Sequence, residues 1–337
     1  MFSFNLRSVN FAIGNLVLPK DEYMKLKAKL VEDIQQELSG KKEVPTMIDI
    51  IAGCTVRRGQ EILPKTEMLV NEQNASTAKV PNGFELVEAA FRNASAVLFG
   101  RPLKGLKEYG AWLEAYEIGS IAAPSAVSGM QVYGPAFEFY RPIAKNFVRL
   151  SEALTLGSRA KIARDAAEEL RLENASAVVN GLAYVSPEIV FGRSMNVIDC
   201  GDYQNAVNIY RGSFVFDSKN IAYSFFPKFC EDAYGCHMLL SCKYCMRCRN
   251  STNLNRCFEV TDSNNCSDCY FCHNCENVQD SMFCFNTKSK RYAIGNVEVG
   301  REKYMRIKKL VLDEIAGKLE KGKRLDLGIY SLSGKRA

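Results

Sequence analysis

Histidine is nearly absent from this 337-residue chain, which has only His237 and His273. A cysteine–histidine catalytic pair would have to use one of these two, and both lie in a cysteine-rich region far along the chain from the one isolated thiol, Cys54. No P-loop and no dinucleotide fingerprint occurs; Gly157-Ser158-Arg159-Ala160-Lys161 lacks the spacing and reads as a helix start, with Ser158 as cap. The neighbouring carboxylates Glu168 and Glu169 read as a solvated helix pair. Hydrolase and transferase readings are left without support, and a non-enzyme is expected. No apolar run approaches bilayer length, and no basic-then-apolar leader opens the chain, where Phe2, Phe4, Leu6, Phe11 and Ile13 alternate with polar residues. A protein made in the cytoplasm, without a membrane partner, is the expectation.

Cysteine, in contrast, is abundant and ordered. Twelve of the thirteen, Cys200, Cys230, Cys236, Cys242, Cys245, Cys248, Cys257, Cys266, Cys269, Cys272, Cys275 and Cys284, are separated by multiples of three residues. The other positions of that register, from Phe191 to Thr287, hold Val, Ile, Leu, Ala, Ser, Gly and the like, and none is charged, an amide or a histidine. A period of three fits neither an α-helix nor an ordinary strand. It fits a narrow β-solenoid, in which short strands alternate with sharp corners and a thin core admits Cys, Ser, Ala and Val. Cys257-x-x-Val260-x-Asp262-Ser263-x-x-Cys266 recurs eighteen residues later as Cys275-x-x-Val278-x-Asp280-Ser281-x-x-Cys284, while five cysteines from Cys248 to Cys284 step by nine. Coils of nine, twelve or eighteen residues are compatible with these steps, and eighteen is the preferred length.

Three chemistries are open to the thiols. In a reducing compartment buried thiols and metal ligands come before disulfides. The two-residue gaps in Cys242-x-x-Cys245-x-x-Cys248 and Cys266-x-x-Cys269-x-x-Cys272-His273-x-Cys275 suit zinc, so Cys242, Cys245, Cys266, Cys269, Cys272 and Cys275 are the candidate ligands. Aliphatic and serine residues replace cysteine within the same register, which a core tolerates and a four-ligand site does not. Structural thiols are therefore preferred over zinc.

The two ends of the chain are duplicates. Residues 2–38 align without a gap on residues 283–319 with thirteen identities, including Phe2/Phe283, Asn5/Asn286, Ser8/Ser289 and the shared Ala-Ile-Gly-Asn at 12–15 and 293–296. Each copy continues into a short β-like stretch and an amphipathic helix, through Tyr23, Leu26, Leu30, Ile34 and Leu38 or Tyr304, Ile307, Val311, Ile315 and Leu319. Gly40 is the expected stop of the first. The second copy ends the cysteine register as a cap; the first either covers the solenoid's first turn or docks on another subunit.

The expected organisation is an N-terminal cap over 1–40, a mixed strand and helical domain over 41–185, the solenoid over 186–287, the C-terminal cap and helix over 288–320, and a basic tail over 321–337. Within the second of these, Met47–Ile51 reads as a strand, residues 84–118 and 137–175 as mainly helical, and 124–129 and 134–135 as loop. The fold class is α+β: a cysteine-cored β-solenoid with a helical domain and two related β-turn-helix caps. Residues 286–337 hold fourteen Lys/Arg against six Asp/Glu, so the net charge of +6 is a C-terminal property.

The CxxCxxC runs, Tyr292-Ala293-Ile294-Gly295-Asn296 and Glu302-Lys303-Tyr304 before a helix give residues 230–319 a marked likeness. The stretch resembles uncharacterised cysteine-rich repeat proteins of candidate-phylum bacteria, archaea and their viruses. Val297 departs from the Lys-like residue usual there, and a second, N-terminal cap is not part of the pattern. The resemblance implies fold and a viral setting, with no activity to carry over. The function expected is a non-enzymatic assembly protein of a virion, shell or fibre, homo-oligomeric through solenoid ends and caps. The alternative is a zinc-binding module contacting nucleic acid through Arg301, Lys303, Arg306, Lys308 and Lys309, where no interleaved aromatics offer base stacking.

Overall fold

The computed structural model describes residues 1–55, 77–78 and 81–332. They form two compact units, one built from the start of the chain and Ile121–Glu188, the other from Thr77–Ser120 and the chain from Ile189 onward.

The second unit is a β-solenoid of about nine turns with helices packed on it. Its strands pair in parallel with partners twelve residues away: Val207 with Lys219, Lys219 with Glu231, Glu231 with Lys243 on one side, and His273 with Phe285 on another. Only the first turn is longer, with Ile189 opposite Asp202. The coil length is therefore twelve residues, and the preferred eighteen is corrected.

Local backbone explains the period. Every third residue takes a left-handed conformation, as at Asn205, Asn208, Arg211, Phe214, Asp217 and Asn220 (φ 47° to 58°), and the residue after each one points inward. Asn and Asp tolerate that region best, which accounts for their number at these corners, whereas Phe or Arg there costs about 1–2 kcal/mol each. The cost is offset by continuous parallel pairing and by the core. That core holds eleven of the cysteines as buried residues together with Ala206, Ile209, Val215, Ile221, Leu239, Val260 and Val278.

One outward column covers the solenoid's flank. Tyr210, Ala222, Tyr234, Met246, Phe258, Tyr270 and Met282 recur at twelve-residue steps and pack with Val87, Phe91 and Leu98 of the helix Gly83–Phe99 and with Tyr304, Ile315 and Leu319 of the helix Arg301–Gly322. The Tyr270 hydroxyl donates to the Leu98 carbonyl (2.9 Å). Residues 81–120 thus belong with the solenoid, because their apolar face matches this column, and not with the remainder of 41–185.

In the first unit the N-terminal coil, the helix Lys20–Lys41 and short helices share a core around Ile13, Leu30, Ile50, Phe147 and Leu170. Met47–Gly53 is a helix, not the expected strand, because Thr46 and Asp49 form a capping box: Thr46 Oγ1 accepts from Asp49 N (3.2 Å) and Asp49 Oδ2 from Thr46 N (2.8 Å). Gly40 does not stop the first helix; Lys42 does, left-handed, with its N–H on Leu38 O. Ser158 lies in the last turn of Leu150–Arg159 and starts nothing, while the next helix, Arg164–Glu169, begins after Ala163. The expected loop over 124–129 joins two paired strands, Ser120–Pro124 and Gln131–Pro135, while Gly134-Pro135, expected as loop, lies within the second strand. Among the described residues no helix is long and apolar enough to cross a membrane.

Candidate functional site

The cysteine row lies along the solenoid axis. Cys242, Cys245 and Cys248 occupy three successive sides of one coil, and Cys266, Cys269, Cys272 and Cys275 supply all four inward positions of another. The two-residue gap therefore steps from one side of the coil to the next, and thiols on adjacent sides meet at the axis, Cys245 with Cys242 and Cys248, and Cys269 with Cys266 and Cys272. Except for Cys200 and Cys242, each thiol of the row donates to the carbonyl two residues before it and, in most cases, to one nine residues after it: Cys269 Sγ to Ser267 O (3.3 Å) and Val278 O (3.4 Å), Cys275 Sγ to His273 O (3.4 Å) and Cys284 O (3.4 Å). Serines in the register bond in the same way, Ser263 Oγ to Thr261 O (2.8 Å), and also accept from the next coil, as from Cys275 N (3.0 Å). This shared bonding explains why Ser and Cys alternate freely in the row.

All thirteen cysteines are free. Burial pushes the thiols of Cys236, Cys242 and Cys248 well above their ordinary range. Toward the last coils neighbouring thiols act the other way: Cys269 holds Cys266 down, and Cys272 holds Cys275 down and brings Cys284 to about 7. Among the described residues no group of three His, Cys, Asp or Glu is placed to hold a metal ion. The two histidines face away from the row. His237 Nδ1 lies 3.1 Å from Glu117 Oε2, and His273 Nδ1 is 2.8 Å from Thr261 Oγ1.

Cys54 is buried (2% exposed), and its thiol donates to Ile50 O and Ser176 O, both at 3.3 Å. Burial raises its pKa. That is the setting of an inert thiol, not of an activated nucleophile.

The two caps share one asparagine clamp. Asn15 Oδ1 accepts from Phe4 N (2.8 Å) while its amide donates to Phe4 O (3.0 Å); Asn296 does the same with Phe285 at 2.9 and 2.8 Å. The hairpins match as well, Ile13 opposite Leu16 and Ile294 opposite Val297.

Two outward features were not read from the sequence. The first is a set of ladders at twelve-residue steps: Asn196 to Asn208 (2.8 Å), Asn208 to Asn220 (2.9 Å), Thr252 to Asn264 (2.7 Å) and the bidentate Arg256–Asp268 pair (2.9 and 2.6 Å). Pairs of complementary polar residues twelve apart were the signal available. The second is an apolar facet, where stacking brings Phe214, Phe216, Phe225 and Phe226 into ring contact beside Phe229, Met238 and Leu240, of which the last three are 60, 49 and 42% exposed. Along the same side the later coils turn polar, with Asn250, Thr252, Asp262, Asn264 and Asn274.

On the C-terminal helix Arg301, Lys303, Arg306 and Lys309 are exposed. Lys308 is not available in the same way, since its ammonium sits over the Tyr270 ring (5.0 Å) and near Asp268 (3.9 Å). A scan against protein-family models, a search of curated proteins and a search of solved structures each gave no match.

Proposed function

We propose that the protein is a non-enzymatic structural component that works by associating with copies of itself in a particle, shell or fibre, with a virion as the setting that the sequence resemblance implies. The observation that carries this reading is the aromatic facet of the early coils. An exposed apolar patch marks an interaction site, and here Phe229, Met238 and Leu240 are exposed beside four half-buried rings, on a stack whose inward residues are spent on packing. Sedimentation velocity and negative-stain microscopy over rising protein concentration test it. Species larger than a monomer are expected, reduced by Phe229→Lys with Met238→Lys; a monomer at every concentration overturns the reading.

A second reading rests on the four exposed cations of the C-terminal helix, which suit a nucleic-acid backbone. It expects DNA or RNA binding that weakens linearly in log–log form with salt. Binding unchanged by Arg301→Gln with Arg306→Gln would remove it.

A further inference from the structure

Among the described residues the N-terminal coil leaves one sheet edge largely unpaired, and its duplicate shows what such an edge pairs with. In the C-terminal copy the upstream edge of the coil is fully engaged: Ser289 N donates to Glu276 O (2.9 Å), Lys290 O accepts from Gln279 N (2.9 Å) and Gly295 N donates to Met282 O (3.1 Å). In the N-terminal copy only the last of these survives, with Met1 standing at the place of Met282, so that Gly14 N donates to Met1 O (3.1 Å) and the Met1 amino group donates to Ala12 O (2.6 Å). The amides of Asn5, Ser8 and Phe11 and the carbonyls of Ser3, Leu6 and Val9 have no partner among the described residues. Arg7 to Phe11 are exposed, including Val9 at 41% and Phe11 at 39%.

The other edge of the same coil is closed in part. Asn15 occupies Phe4 N and O, and Leu18 N donates to Phe11 O (3.0 Å); in the C-terminal copy Asn296 occupies Phe285, Val299 N donates to Tyr292 O (3.0 Å) and Arg291 N to Glu298 Oε1 (3.0 Å). Both caps therefore close the same two stretches of the downstream edge, at Phe4 and Phe285 and at the hairpins. A head-to-tail stack of this chain on itself, upstream edge on downstream edge, would have to displace those contacts.

We infer that the open edge of residues 2–13 pairs with the same edge of a second copy, antiparallel and about a two-fold axis. Three donors and three acceptors without a partner among the described residues alternate along it, so the edge is complementary to itself, which an isologous contact requires. The inward positions of this coil, Ser3, Leu6, Val9 and Ala12, are small or apolar where the C-terminal twin has the charged Lys290 opposite Val9. Two such floors placed face to face continue one apolar interior. Unprotected edges of this kind are rare in monomers because they template pairing.

This inference rests on the assembly reading and is narrower than it. Hydrogen–deuterium exchange of the full chain, followed on the peptide covering residues 2–13 at dilute and high concentration, is the primary test. Strong slowing at high concentration is expected, together with at least tenfold weaker self-association in Val9→Lys. If the protein associates while this peptide exchanges at its dilute rate and Val9→Lys associates like the parent, the edge is not the contact and the assembly reading stands on the facet alone. A protein that never leaves the monomer sinks both. The exchange measurement uses the unaltered chain, so a poorly folding variant does not blunt the result.

Discussion

Arg247 and Glu259 hold the same corner of successive coils, and the Nε of one lies 3.1 Å from the Oε1 of the other with both side chains almost wholly buried (3 and 1% exposed). Glu259 also accepts from Ile329 N (2.9 Å), so the pair ties the last helix, Ile329–Leu332, to the solenoid. The guanidinium lies over the Trp112 ring (4.8 Å). Removing one partner leaves the other charge buried and unpaired. Arg247→Ala is expected to cost about 3–5 kcal/mol, seen as a lower urea midpoint; a loss under about 1 kcal/mol would show that the pair is solvated.

Asp232 follows Asn196, Asn208 and Asn220 in one corner column but carries a carboxyl where they carry amides. Burial raises its pKa from the ordinary 3.8 to about 6. With the folded value above the unfolded one, its contribution to stability is complete below about pH 4 and is lost as pH rises to about 6. Asp232→Asn should therefore stabilise the protein by about 1–3 kcal/mol at pH 7 and by nothing near pH 3.5. Paired urea titrations at the two pH values check this, and equal effects at both would refute it.

Cysteines that serve as core residues should accept serine, because serine makes the same bonds at neighbouring positions. Cys269→Ser is expected to cost about 1–2 kcal/mol and leave the fold intact. Mass spectrometry of the native protein should find no stoichiometric zinc, and alkylation after unfolding should count thirteen free thiols. Retained zinc, lost in Cys269→Ser, would place the row in the metal-bound class.

The two sealing asparagines offer an internal control. Asn15 is buried and Asn296 exposed, yet their bonds to Phe4 and Phe285 are the same. Alanine at 15 strands a buried amide and carbonyl and should cost about 1–3 kcal/mol more than alanine at 296, where water takes over. Equal losses in thermal unfolding would contradict that account.

The inward rule was readable because a thin core excludes charge from every third residue, and the cysteines marked it; its expected start at Phe191 is corrected, since the longer first turn leaves Phe191 58% exposed and sets Val190 in line with Tyr203. Coil length was not, since all four sides of the coil share that period. The nine-residue step from Cys257 to Cys266 moves on one coil and back one side, and the eighteen-residue recurrence from Cys257 to Cys275 spans one coil and a half. Only pairs such as Arg256 and Asp268 carry the true spacing, because they meet across coils. The duplicated cap was visible as identities, whereas the one-sidedness of its seal depends on where Asn15 and Asn296 direct their amides. Met47–Gly53 misled because Ile-Asp-Ile-Ile alternates like a strand while the Thr46–Asp49 box decides for helix.

A stack built on a twelve-residue step also constrains how the gene can change. Losing or gaining one whole coil returns every later side chain to its own wall, with Asn over Asn and thiol over thiol, and shifts the far end by a single rung. A change of one or two residues must be absorbed within its own turn, as the extra residue of the first turn is, or it sends each later thiol toward solvent and each corner amide toward the axis. Length variants of this protein should accordingly differ by dozens, with the two terminal caps left untouched.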